Sequence, residues 1–443
     1  MPTKAERKQL DATVAAFHAH YAAPANGWGQ ERWHDSLYPA LARPTRYAAL
    51  VNQFVPRAEV EKALLKEVPE EELRMVELPA LGDGQEADGK RPQILLYERV
   101  PRSVPESEVK EGEKDQVREK AKSSTPADKT LPFPPPKPTT IHTPRQPPQQ
   151  LLTHWNMDAA SALAAHMLDA QPGDKVLDLC SAPGGKSVAL AQLIFADQHH
   201  HLQDSTSHDH DSQPPQGRLH TNEPDAARAK RLLANLRCYL PAPLFTSKAV
   251  QTFTLDASIP ARFLSTLPHG SGGYDRVLLD APCSSERHVI HAHTRAVAGG
   301  RIADDMARWR AGTSRALQKT QAGLLVTALR AARTGGRVLY STCSVERGEN
   351  DGVVERVRET LEKERRKGSV WVKGWDMRVE MGRQGQRGGG GEGEREEWER
   401  VGRGLDAWAE DTDYGRIAVP DVGEGRWGPL FFCVITKVEA KDE

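Results

Sequence analysis

Cysteine is scarce in this sequence. Five occur in 443 residues, at Cys180, Cys238, Cys283, Cys343 and Cys433, an odd number with no two close together. No CxxC pair exists, which argues against a zinc knuckle, and so sparse a set is no framework for a disulfide-stapled secreted domain. A reducing compartment follows. Net charge is lacking too: 60 Lys and Arg against 61 Asp and Glu leave −1, so the molecule as a whole is not a polycation of the nucleic-acid-binding kind. No apolar run reaches the ~18 residues of a transmembrane helix. Met1–Tyr21 carries Glu6 and Asp11 among its basic residues, which makes a poor secretory signal or transit peptide.

Charge is present locally. Between Ser285 and Arg347 stand eleven Lys and Arg against four acids, an excess of seven, which reads either as a phosphate-binding stripe or as helix-surface arginines without a ligand. Glycine (36) and proline (31) are abundant and clustered. Residues 1–100 read as a mainly helical N-terminal region, with helical spacing over Ala5–Tyr21 and Glu59–Leu78 and a strand within Gln93–Val100. Residues 101–150 alternate Lys with Glu and then become Pro-rich, as a linker does. From residue 151 to 443, strand patterns alternate with helix patterns. The strands are Lys175–Leu179, Arg218–Asn222, Val250–Leu255, Tyr274–Leu279 and Gly336–Ser341, with late ones at Val370–Val372 and Leu430–Thr436. Such alternation predicts an α/β domain, its sheet mostly parallel with helices on both faces. Two low-complexity inserts fall near 199–216 and 382–399. The first carries His199, His200, His201, His208 and His210; nothing orients these imidazoles, so the reading is a solvated loop and no metal site.

The chemistry sits at strand ends. In Val176–Ser187 (VLDLCSAPGGKS), Gly184 and Gly185 would let backbone approach a ligand, and the following helix offers free N–H groups to an anion. Three acids mark later strand ends: Glu223, where a ribose would be bound by its hydroxyls, Asp256, which could accept from an exocyclic amine, and Asp280. Together they favour a nucleoside cofactor, although Glu223 before Pro224 also reads as a helix N-cap. Two cysteines join them, Cys283 in LLDAPCSSERH and Cys343 in VLYSTCSVERGEN. A lone free cysteine is usually buried and inert. Two on neighbouring strand ends beside Lys186 and Asp280 suggest a reactive thiolate. Beside a methyl donor, such a thiolate adding to C6 of cytosine would make C5 nucleophilic, and an acid near N3 would stabilise the adduct. The chemistry leaves open which cysteine attacks.

DLCSAPGGK, DAPCSS and YSTCSVERGEN resemble the signature segments of the Sun-domain (RsmB-like) RNA 5-methylcytosine methyltransferases, over essentially all of 151–443 apart from the inserts. The resemblance implies a Rossmann-like class I methyltransferase with a seven-stranded sheet and S-adenosyl-L-methionine as cofactor. It implies that Cys343 attacks and Cys283 assists release, with Asp280 and Lys186 completing the catalytic set. It places the cofactor on Cys180, Ser181, Ala182, Pro183, Gly184, Gly185 and Lys186, with Glu223, Arg228, Asp256, Ala257 and Asp280. Arg46–Phe54 (RYAALVNQF), SERHVIHAH after Cys283, Met157–Leu168 and Ile417–Ile435 resemble the mitochondrial branch, and the arrangement around RYAALVNQF leans toward its ribosomal-RNA member, which works with a helical-repeat protein partner. The implied substrate is RNA, ribosomal first and transfer RNA second, and the implied location the mitochondrion, with nucleus or cytoplasm the alternatives; no membrane is involved. A ribosome-assembly factor whose catalysis is dispensable is the reading from another class. Glu223 departs from the family's usual Asp, and Ser285 from its frequent Gly.

Overall fold

A computed structural model describes residues 2–24, 27–81, 92–100, 132–141, 147–196, 216–385, 392–422 and 427–440. Six short strands precede the main sheet: β1 Ala48–Val51, β2 Leu73–Val76, β3 Leu96–Arg99, β4 Pro138–Ile141, β5 Gln149–Leu152 and β6 His154–Met157. Nine form the main sheet: β7 Lys175–Asp178, β8 Arg218–Asn222, β9 Val250–Phe253, β10 Tyr274–Asp280, β11 Ala332–Thr342, β12 Trp375–Val379, β13 Glu410–Asp411, β14 Arg416–Ala418 and β15 Leu430–Glu439.

The order is β13-β14-β15-β11-β10-β7-β8-β9, with β12 also on β15. The five strands from β11 to β9 are parallel. Their centres are runs such as Val277-Leu278-Leu279 and Val338-Leu339-Tyr340, fully buried, as a parallel sheet covered on both faces requires. This is the expected Rossmann-like α/β architecture. The strand count differs from the seven expected, for a geometric reason. β15 outlasts both strands on its outer edge: β14 pairs with Leu430–Phe432 and β12 with Ile435–Glu439, so the two share that edge, and the sheet is seven strands wide through β12 and eight through β14 and β13. From β7 the chain goes to β8 and β9 on one side and to β10 and β11 on the other. The crevice at that reversal is where such sheets bind ligands.

Several local expectations need correction. The helix read over Glu59–Leu78 stops at Leu65, since Pro69 cannot continue it, and Leu73–Val76 becomes β2, pairing with β3. Val370–Val372 is a single 3₁₀ turn with Val370 85% exposed; the strand lies instead at Trp375–Val379. Part of the Pro-rich segment is folded, because β4 pairs with β5 around a buried Leu151. The insert near 382–399 runs into a helix, Glu392–Leu405, that packs Trp398, Val401 and Leu405 into the core. That i, i+3, i+7 spacing is masked by the surrounding Gly, Arg and Glu. Residues 101–131 and the His-rich 197–215 lie outside the described residues.

The N-terminal residues are packed onto the main domain. Thr3 and Glu6 form a capping box that starts the helix Lys4–Ala22. Its Phe17 and Tyr21 pack on Trp33 and Trp309. Tyr21 Oη donates to Glu286 at 2.8 Å. β1 takes β6 as its other neighbour, so the small sheet, ordered β2-β3-β1-β6, draws strands from both sides of residue 150. No described helix is long and apolar enough to cross a membrane.

Candidate active site

The turn after β7 builds one wall of the crevice. Asp178 ends the strand 1% exposed. Ser187 Oγ donates to it at 2.5 Å, yet burial pushes its pKa up to about 6. Its Oδ1 is buried with no hydrogen-bond partner. Ser181 Oγ donates to Asp178 O and receives Asn222 N–H, tying the turn to the end of β8. Gly184 takes φ +118°, a left-handed value that disfavours a side chain, and begins the helix Gly185–Ile194 with no side-chain cap. The space a Cβ would take is already occupied: 3.1 Å from Leu232 at Gly184 and 2.9 Å from Trp155 Nε1 at Gly185. The two glycines therefore admit close packing from behind the turn, a role the sequence reading assigned to the ligand side.

The predicted acids follow in order. Glu223 is 3% exposed at the end of β8 and pairs with Arg228 at 3.3 Å. The N-cap of the next helix is Asp225, which receives Arg228 N–H, so the capping role is taken by the neighbour and Glu223 is left for the crevice. Arg228 also reaches Ala182 O at 3.4 Å. Asp256 is exposed after β9, with Ser258 hydrogen bonds holding its carboxyl below its ordinary pKa. The buried Ala257 has its carbonyl held by Thr327 Oγ1. Asp280 ends β10 between two donors, Lys186 Nζ at 2.7 Å and Ser341 Oγ at 2.9 Å. Burial opposes the Lys186 charge, but the attraction and hydrogen bond of Asp280 outweigh it and raise the ammonium pKa.

The two cysteines meet. Cys283 Sγ and Cys343 Sγ are 3.2 Å apart, and Cys343 Sγ lies 3.3 Å from Ser285 Oγ. The hydrogen bond with Cys283 leads in lowering the Cys343 thiol pKa, with Ser285 adding to it; the same bond, with burial, drives Cys283 up. The pair titrates as a unit in which Cys343 ionises first. The other described cysteines are poor nucleophiles or lie elsewhere: burial pushes Cys180 and Cys433 up, and Cys238 sits exposed on the helix Ala226–Tyr239. Ser285 stands at φ +51°, a left-handed position that explains why Gly would serve there.

Beneath the thiols lies a layer that sequence reasoning did not single out. Glu286 and Glu349 are at most 1% exposed. Glu286 receives Tyr21 Oη, Ser284 Oγ, Ser344 Oγ and Val345 N–H. Glu349 receives Ser284 N–H and Gln321 Nε2, each at 3.0 Å. Burial, then the charge of Glu286, raises Glu349 to about 7. These bonds pin both cysteine-bearing loops to each other. Asp178 was missed as well; its only signal is an acid inside an apolar strand. Four members of the basic excess, by contrast, are engaged within the fold. Arg333 and Arg337 pair with Asp275 and Asp169, Arg347 pairs with Asp413, and Arg287 is buried.

The family model for 16S rRNA methyltransferase RsmB/F matches residues 204–384. The 5-cytosine rRNA methyltransferase NSUN4 of Xenopus tropicalis is 30% identical over 289 residues, 65% of this chain and 57% of that protein. The mitochondrial tRNA (cytosine(34)-C(5))-methyltransferase of Danio rerio is 35% identical over 222 residues, 50% of each. The chain thus spans about half the length of these relatives. The crystal structure of PH0851 superposes with TM-score 0.52 at 17% identity, covering 98% of this chain and 69% of that one, a likeness of fold alone. The sequence matches agree with one another, and the shared fold is consistent with them: over these segments the chain is similar to the RsmB/F family of methyltransferases.

Proposed function

We propose that this protein methylates C5 of a cytosine in ribosomal RNA, using S-adenosyl-L-methionine and a transient Cys343–C6 bond. The thiol pair, 3.2 Å apart at the ligand edge of the sheet, is the observation that carries this reading. The ribosomal substrate, the mitochondrion as location and a helical-repeat partner rest on the relatives and on the sequence resemblance.

The crevice fits the cofactor by its donor set. Asp178 holds a buried, unpartnered acceptor oxygen, and Glu223, Asp256 and Asp280 stand at the ends of successive strands. That row matches a ligand with ribose hydroxyls, an exocyclic amine and an ammonium group, while the uncapped helix Gly185–Ile194 suits its carboxylate. Asp256→Ala should weaken cofactor binding roughly tenfold, the loss of one good hydrogen bond; unchanged affinity by calorimetry would remove Asp256 from the site.

When bound, S-adenosyl-L-methionine supplies an electrophilic methyl group. Cys343, the more acidic thiol, adds as thiolate to C6 and makes C5 nucleophilic. As C6 is attacked, N3 takes up a proton from solvent that it loses again on release, and Asp280, fixed by Lys186 and Ser341, would accept that N–H and stabilise the adduct. Cys283 is held as a thiol while Cys343 is charged beside it. Once Cys343 is bonded to carbon that like charge is gone, and Cys283 is freer to ionise and take the C5 proton. The electrons of the C5–H bond re-form the ring double bond as the Cys343–C6 bond breaks.

A transfer RNA substrate is the second reading, favoured by the 35% identity to the zebrafish enzyme. Bisulfite sequencing of total and organelle RNA, with and without this protein, separates the two. Loss of one methylated cytosine in small-subunit ribosomal RNA is expected. Loss in a transfer RNA would move the substrate, and loss nowhere would end the reading.

A further inference from the structure

Cys343 opens into a cleft of about 650 Å³, more room than one pyrimidine ring needs. One wall is the helix Glu286–Ala298, which presents His288, Thr294 and Arg295, all exposed. The opposite wall is Pro44, Thr45 and Tyr47, and Gly428–Leu430 close one end. The opposite wall and the closed end are both clamped to this helix. Arg287 donates to Gly428 O, Arg43 O and Pro44 O, and His291 Nε2 lies 3.0 and 2.8 Å from Leu41 O and Arg43 O. Asp158 accepts Gly428 N–H at 3.0 Å from below. The cleft is therefore built before any ligand arrives.

Tyr47 is 45% exposed, the one aromatic among the exposed large apolar side chains of the described residues. Aromatics make up only 6% of this chain, and most of those described are packed away, which makes an exposed ring lining the same cleft as the reactive thiol unusual. Arg295 lines both this cleft and the neighbouring depression that holds Arg301. That depression also holds Asp304 and Asp305, so Arg295 is the cation on the rim that the cleft and the depression share.

We propose that this cleft holds the nucleotide adjoining the target cytosine as well as the target, with Tyr47 stacking on the adjoining base and Arg295 contacting a phosphate of the strand. The proposal rests on the RNA reading above. Exposed rings that accept any base face, paired with a cation that follows the backbone, are how proteins hold single-stranded RNA. The substrate segment is accordingly single-stranded around the target.

The test is anisotropy titration of the full chain with a fluorescein-labelled single-stranded oligocytidylate over a range of salt concentrations. Tyr47→Ala should weaken binding roughly 5- to 100-fold, the loss of one base–aromatic stack. Tyr47→Phe should bind as the parent does, since the ring remains. Arg295→Gln should lower the slope of log affinity against log salt by about one, as one phosphate contact does. Cofactor affinity should stay unchanged in all three. Parent-like affinity in Tyr47→Ala, or a parent-like slope in Arg295→Gln, overturns the proposal while the RNA reading stands. A parent chain that neither binds the oligonucleotide nor methylates RNA overturns both.

Discussion

Cys343→Ala should abolish methyl transfer while leaving the cofactor site intact. The loss should be at least roughly 10⁴-fold, the scale on which enzymes lose rate when a nucleophile acting within a unit is removed. The reason is chemical: without addition at C6, C5 of cytosine has too little electron density to attack a methyl group. The substitution should not disturb the fold, because the side chain is exposed and its hydrogen bonds run only to Cys283 and Ser285. Transfer of radiolabelled methyl to RNA gives the first readout and calorimetry of cofactor binding the second. Residual transfer near that of the parent would sink the assignment of Cys343 as nucleophile, and lost cofactor affinity would mean that the substitution acts through the structure.

Cys283→Ala should have the opposite signature, a trapped covalent protein–RNA complex. Addition needs Cys343 alone, whereas release needs a base at C5, and Cys283 is the neighbouring group at 3.2 Å. Removing a positioned base slows a proton transfer by roughly 10² to 10⁴, so the adduct should outlive denaturation and run as a shifted band on a denaturing gel. The doubly substituted chain should show no band. Normal turnover with no shifted species in Cys283→Ala would assign release to another group. There is a second consequence: removing Cys283 takes away the hydrogen bond that leads in lowering the Cys343 pKa, so the pH at which addition sets in should move upward.

Much of the fold was legible because its signals are local. Apolar runs such as Val277-Leu278-Leu279, bounded by turn residues, announce strands wherever they occur, and each of the acids and cysteines singled out lies within three residues of a strand's end. A strand carries its last residue to the sheet edge by construction, so Glu223, Asp256, Asp280, Cys283 and Cys343 arrive together once the sheet is parallel. Misreadings arose where a local signal was ambiguous. Glu59–Leu78 has helical composition throughout, and only Pro69 and the partner strand β3 divide it. Glu392–Leu405 hides three core residues in a polar run.

What the sequence by itself determined, then, is the order of the five parallel strands and the residues that stand at the sheet's ligand edge, because both follow from spacing along the chain. What only the tertiary structure decided is everything that joins distant segments. Glu286 and Tyr21 are 265 residues apart, and Cys283 and Cys343 are 60 apart. Tyr47 and Gly428 line one cleft with Cys343, and β6 completes a sheet begun at β1. The ionisation of the site belongs to the same class. A thiol's pKa depends on the group a few ångströms away and on the water excluded around it, and neither is encoded in the neighbouring residues of the chain.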